Sequence, residues 1–165
     1  MVHEFTTANQ RCDGQYAIVV STYNSNITNK LLVGAVETLE AAGIDSRNIL
    51  VARVPGAWEL PLAASALVAK PSVCAVITLG AVIRGETTHD QHINRAVSNA
   101  LMELMTTTGK PIAFGLLTCN TLEQAIHRAG GNVGNKGCEA AEAAIEMVRL
   151  TRLFAAEERA QMQKR

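Results

Sequence analysis

The sequence predicts a single three-layer α/β/α domain with a four-stranded parallel sheet, and three observations lead there. Short apolar runs of strand length alternate with longer segments whose apolar residues recur at helical spacing. The strand-like runs are apolar at nearly every position, as expected of parallel strands covered by helices on both faces. Composition agrees: 48% of the 165 residues are apolar but only 4% aromatic, so the core must be built of Ala, Val, Leu and Ile. A chain of this length has the size of one ordinary domain.

The elements follow in order. "YAIVVST" (16–22) is β-branched, too short for a helix and bounded by polar residues, so it reads as a buried strand. The next segment sets Leu31, Leu32, Ala35, Leu39 and Ala42 on one helical stripe, with Asn or Thr available as a cap and Gly43 as the stop. "ILVARV" (49–54) is the second strand, "PGAWELP" a turn, and "LPLAASALVAK" a helix. "VCAVITLG" (73–80) is the third strand, followed by a helix from about 89 to 107 with Ile93, Val97, Ala100, Leu101 and Leu104 inward. "PIAFGLLT" (111–118) is the fourth strand. "TLEQAIHRAG" opens with the capping-box pair Thr121 and Gln124 and closes on Gly130. A glycine-punctuated loop, "GNVGNKG", then leads to a last helix with Ala140, Ala141, Ala144, Ile145 and Val148 on one face.

Residues 1–13 read as an N-terminal arm, 14–155 as the α/β domain and 156–165 as a charged C-terminal tail. The two ends are mobile or are ordered by a neighbouring subunit. Fifteen acidic and fifteen basic side chains cancel, leaving no long-range field to hold a nucleic acid. Cys12, Cys74, Cys119 and Cys138 stand singly without metal-ligand spacing, as reduced thiols of a cytoplasmic protein do. No secretion signal or membrane-length apolar run is read, so no membrane partner is expected.

In an open parallel sheet, ligands bind beyond the carboxyl ends of the strands, which directs attention to the four segments there. "GETTH" should open the third helix. Its free N–H groups beside Glu86, Thr87 and Thr88 form an anion site, unless Thr88 simply caps the helix. His89, next to the positive end of the helix dipole, is favoured as neutral imidazole and thus as a general base, or is an incidental surface histidine. His92 lies one turn on, but no third ligand with a metal-like pattern accompanies the two, and no metal is expected.

Trp58 and Glu59 sit between Pro55 and Pro61, in a loop stiffened by both prolines. Glu59 can accept the hydroxyls of a polyol, or serve only as a helix-start charge. Tyr23 and Phe114 are candidate stacking faces for a planar ring, or core aromatics. Arg128 and Lys136 flank the "AGGNVGN" loop and can anchor an anion, or complement a helix dipole. The residues alone thus describe a small-molecule site with a phosphate, a planar group and a histidine.

Taken together, "YNSNIT" (23–28), "VPGAWELP" (54–61), "GAVIRGETTH" (80–89), "AFGLLT" (113–118) and "EQAIHRAGGNVGNKGCEAA" (123–141) resemble the lumazine synthase family in order and spacing. The resemblance implies a flavodoxin-like fold. It also implies condensation of 5-amino-6-(D-ribitylamino)uracil with 3,4-dihydroxy-2-butanone 4-phosphate, in the penultimate step of riboflavin biosynthesis. The products would be 6,7-dimethyl-8-ribityllumazine, phosphate and water, with no cofactor. Carried over by motif, His89 transfers protons, Tyr23 stacks on the pyrimidine, and Ala57, Trp58 and Glu59 meet the ribityl chain. Ala81, Val82 and Ile83 line the ring pocket, and Phe114 covers it from an adjacent subunit. Glu86, Thr87, Arg128 and Lys136 fall at phosphate-binding positions, with Glu139 orienting Arg128 or His89. The implied assembly is a homo-oligomer of pentamers: a single pentamer, a decamer or a 60-subunit shell. This chain departs from the family after "GETTH", where Asp90, Gln91 and His92 replace the more usual aromatic start. A non-catalytic carrier of flavin or lumazine is the alternative reading.

Overall fold

The chain is described by a computed structural model that covers residue 2, residues 4–7 and residues 13–163. Four parallel strands, β1 (Gln15–Ser21), β2 (Ile49–Val54), β3 (Val73–Ile83) and β4 (Ile112–Cys119), form a sheet in the order β2-β1-β3-β4. Five helices accompany it: α1 (Ser25–Ala41), α2 (Leu60–Val68), α3 (His89–Thr108), α4 (Leu122–His127) and α5 (Lys136–Met162). The expected three-layer α/β/α arrangement is the observed one.

The pleat of β1 shows how the sheet joins the layers. Tyr16, Ile18 and Val20 face one way, onto α1 and α5 through Leu31, Ala35, Leu39, Ala141 and Ala144. Ala17 and Val19 face the other way, onto α2 and α3 through Leu60, Ala64, Val97 and Leu101. All five β1 residues are fully buried, which is why that strand reads as one apolar run. The predicted face of α5 is buried as expected, from Ala140 to Val148.

Three local features differ from the sequence reading. Strand β2 is an edge strand with Val51 half exposed, so it is not covered on both faces. Helix α4 stops at His127 rather than Gly130, and the glycine-rich loop folds into a small antiparallel hairpin, β5 (Ala129–Gly131) with β6 (Gly134–Asn135). Gly130 and Gly134 have φ of 100° and 88°, a conformation that glycine allows without steric cost. Lastly, α5 runs through the boundary expected at residue 155, and the charged stretch to Met162 continues it as exposed helical turns. Within the N-terminal segment, Phe5 meets Phe154 edge-on at 4.9 Å and the Thr7 hydroxyl donates to Glu146 at 2.6 Å. Cys12 and residues 164–165 lie outside the described residues.

Candidate active site

Strand order reverses between β1 and β3: β2 lies to one side of β1, and β3 and β4 to the other. At such a point the loops leaving neighbouring strands diverge and open a crevice. A cleft of 360 Å³ sits there, a volume typical of small-molecule sites. Tyr23 follows β1; Gly56, Ala57 and Trp58 follow β2; Ala81, Val82 and Ile83 end β3; Gly85, Thr87, His89, Asp90 and Ile93 come from the β3–α3 loop and the start of α3.

The walls are pinned from below by backbone. Thr22 N–H donates to Val54 carbonyl at 2.8 Å and Tyr23 N–H to Pro55 carbonyl at 3.0 Å, which ties the first loop to the second. Asn24 takes the left-handed conformation, φ 59°, and its amide donates to the Ala81 carbonyl at 2.9 Å, tying the first loop to β3. Asparagine adopts this backbone more readily than most side chains. Tyr23 and Trp58 are 72% and 60% exposed, so both aromatic faces stand free at the cleft instead of in the core.

At the start of α3, the expected cap is absent. Thr88 has φ −83° and ψ 13°, not the extended backbone of a capping residue, and its hydroxyl accepts nothing from the helix. The Thr87 hydroxyl accepts from His89 N–H at 3.4 Å, a long contact. The first-turn N–H groups therefore face the cleft largely unclaimed by side chains, as a phosphate requires. No lysine or arginine lines this cleft.

The remaining predicted residues lie elsewhere. Glu59 does not line the cleft; one of its carboxylate oxygens accepts from Gly56 N–H at 2.9 Å and so braces its own loop. Glu86 is exposed in the β3–α3 loop, also off the lining, and so is His92 on α3. Phe114, Arg128 and Lys136 share a separate groove of 560 Å³ with Cys119, Gln124 and His127. Here the hairpin does the positioning: Lys136 N–H donates to the Arg128 carbonyl at 2.8 Å, holding the two cations side by side. Thr121 caps α4 by accepting from Gln124 N–H at 3.2 Å, while the Gln124 side chain returns to Asn120 N–H, one residue earlier than in a capping box.

Glu139 bridges the cations, 2.9 Å from Lys136 Nζ and 3.9 Å from an Arg128 nitrogen. The hydrogen bond from Lys136 is the main cause that holds its carboxyl below the usual glutamate range, opposed by partial desolvation and helped by both positive charges. A carboxyl so lowered in the folded state binds its proton less readily there than in the unfolded chain. Its contribution is present at neutral pH and is lost on acidification through and below the ordinary glutamate range. Glu139→Gln should flatten the acid flank of a denaturant-midpoint profile taken from neutral pH down to roughly pH 3. Because the pair is partly exposed, the loss at neutral pH should stay under about 1 kcal/mol.

Residues 13–152 match the family described as 6,7-dimethyl-8-ribityllumazine synthase. The chain belongs to that family. It is 55% identical over 137 residues to a 6,7-dimethyl-8-ribityllumazine synthase of Rhodopirellula baltica, a match covering 83% of this chain and 88% of the relative. A 6,7-dimethyl-8-ribityllumazine synthase of Thermus thermophilus is 52% identical over 134 residues, covering 81% and 85%. One from Syntrophus aciditrophicus is 49% identical over 138 residues, covering 84% and 90%. The resemblance first seen in five segments therefore spans the domain, and the chain is a transferase acting on small molecules. Among the described residues no helix is long and apolar enough to cross a membrane. The family motifs did not point to Asp90 or Ile93 as cleft residues; for Ile93 the available signal was its place one turn beyond His89 on α3.

Proposed function

We propose that the cleft condenses 5-amino-6-(D-ribitylamino)uracil with 3,4-dihydroxy-2-butanone 4-phosphate to give 6,7-dimethyl-8-ribityllumazine, phosphate and water. The carrying observation is that one crevice joins a flat slot at Ala81–Ile83, an aromatic face at Tyr23, an uncapped helix start at Thr87 and an imidazole at His89. The amine attacks the ketone and loses water to a Schiff base, phosphate leaves by elimination, and ring closure expels water again. Each of these steps moves a proton, which His89 accepts or returns. Tyr23 stacks on the pyrimidine, Ala57 and Trp58 take the ribityl chain, and the free oxygen of Glu59 receives a hydroxyl at its end. Thr87 and the Glu86 backbone N–H hold the phosphate; the Glu86 carboxylate would repel it and turns outward.

A phosphate dianion also needs cations, and the cleft lining has none. Arg128 and Lys136, oriented by Glu139, supply them from a second copy of the chain, together with Phe114 as the lid over the ring. A head-to-tail contact of this kind closes into a ring, here five copies or a multiple of five. The unpaired thiols of Cys74, Cys119 and Cys138 fit a cytoplasmic enzyme.

Mixing the purified protein with both substrates should produce lumazine absorbance and inorganic phosphate in equal amounts. Tight binding of the ribityl substrate with no product would overturn the reading in favour of a carrier, which no observation supports at present. Sedimentation should give a mass that is a multiple of five chains. A stable, active monomer would refute the shared site.

A further inference from the structure

The β3–α3 arm of the cleft holds a carboxylate that the mechanism above does not use. Asp90 lines the cleft, yet its Oδ1 is fully enclosed and has no hydrogen-bond partner among the described residues. One turn along the same helix face, Asn94 also encloses an Oδ1 without a partner. An acid in the first turn of a helix complements the dipole, but that effect works equally well for a solvated side chain and does not account for the burial. Enclosing an acceptor without a donor is costly, and such groups persist chiefly where function uses them. At this end of α3 acceptors outnumber donors, so whatever binds there must bring N–H or O–H groups.

Of the two substrates, only the ribitylaminouracil is rich in such donors; the phosphorylated ketone presents an anion that a carboxylate repels. We infer that Asp90 is a positioning residue for the ribitylaminouracil, accepting a hydrogen bond from its amine or ribityl hydroxyls. The terminal torsion of a carboxyl is soft, so either oxygen can turn to the cleft while the other stays enclosed. The same group keeps the phosphate at the Thr87 end by repulsion, which fixes the order of the two substrates along the cleft. This inference rests on the reaction proposed above.

The test compares Asp90→Leu and Asp90→Asn with the wild-type chain in steady-state kinetics, varying each substrate separately. Asp90→Leu should raise KM for the ribitylaminouracil by about tenfold to a hundredfold, the range for a hydrogen bond to a charged group. KM for the phosphorylated ketone should change by less than about twofold, and Asp90→Asn, which retains one acceptor, should fall between. The thermal midpoint of Asp90→Leu should equal or exceed that of the wild type, because an unpartnered acceptor is gone. Equal rises in both KM values, no change in either, a lowered thermal midpoint or a broken assembly would each overturn the inference. Should the wild-type chain bind but not turn over, the reaction reading fails by itself. Calorimetric titration of wild type and Asp90→Leu with the ribitylaminouracil then decides the Asp90 assignment by the same ratio.

Discussion

Gly137→Ala should destabilise the fold by roughly 3 kcal/mol or more, at or beyond the upper end for overpacking. Gly137 stands in the first turn of α5 where that helix crosses α1. A Cβ placed there would lie 2.0 Å from the Leu31 carbonyl oxygen, 2.7 Å from its carbon and 2.9 Å from the Leu31 Cα. All three are backbone atoms, so no rotamer change relieves the clash and the two helices must separate. Their separation opens the face on which Leu31, Ala35, Ala141 and Ala144 pack. It also displaces Lys136 and Glu139, which flank Gly137 on α5, and so should weaken phosphate binding.

Gly34→Ala is the natural comparison. At that position on α1 the added carbon meets the Asn135 amide at 2.6 Å and Cys138 Sγ at 2.8 Å, side-chain atoms that can turn away. The cost should be smaller, about 1–2 kcal/mol. Urea unfolding of both variants measures the difference, and equal stabilities would mean that the helices can part without penalty.

The second large effect concerns the division of the site. His89→Ala should slow turnover about a hundredfold, the low end for general acid–base catalysis, because substrate positioning remains intact. Arg128→Ala should raise KM for the phosphorylated substrate by a similar factor through loss of a forked, charge-assisted donor. Co-assembling the two weak variants in equal amounts should then restore about a quarter of wild-type activity, since random head-to-tail contacts pair an intact cleft with an intact groove one time in four. A site built within one chain would leave the mixture at the residual level of its components. The assay is lumazine formation before and after the two proteins are unfolded and refolded together.

Much of this was legible in the residues. Strands β1, β3 and β4 announce themselves as short apolar runs because burial on both faces removes any need for polar positions. The inward stripe of α5 follows from helical periodicity, and the candidate site residues cluster after strand ends because parallel sheets leave their crevices there. The hairpin at Ala129–Asn135 was not legible, since its glycines carry no strand preference and its pairing depends on the ends of α4 and α5. The missing cap at Thr88 and the Gly56 brace on Glu59 depend on backbone angles and loop contacts that residue type does not encode.

By itself, the sequence determined the layer architecture, the family and the set of side chains from which the site is drawn, because periodicity, composition and motif order are properties of the chain read end to end. Only the tertiary structure decided how those side chains are partitioned. His89 and Thr87 share a cleft at the β1–β3 switch point, whereas Arg128, Lys136 and Phe114 line another groove beyond β4. The physical reason is strand order: residues adjacent in a list of motifs are separated by the width of the sheet. The same order leaves Asp90 against the cleft with an acceptor that nothing in its own chain satisfies.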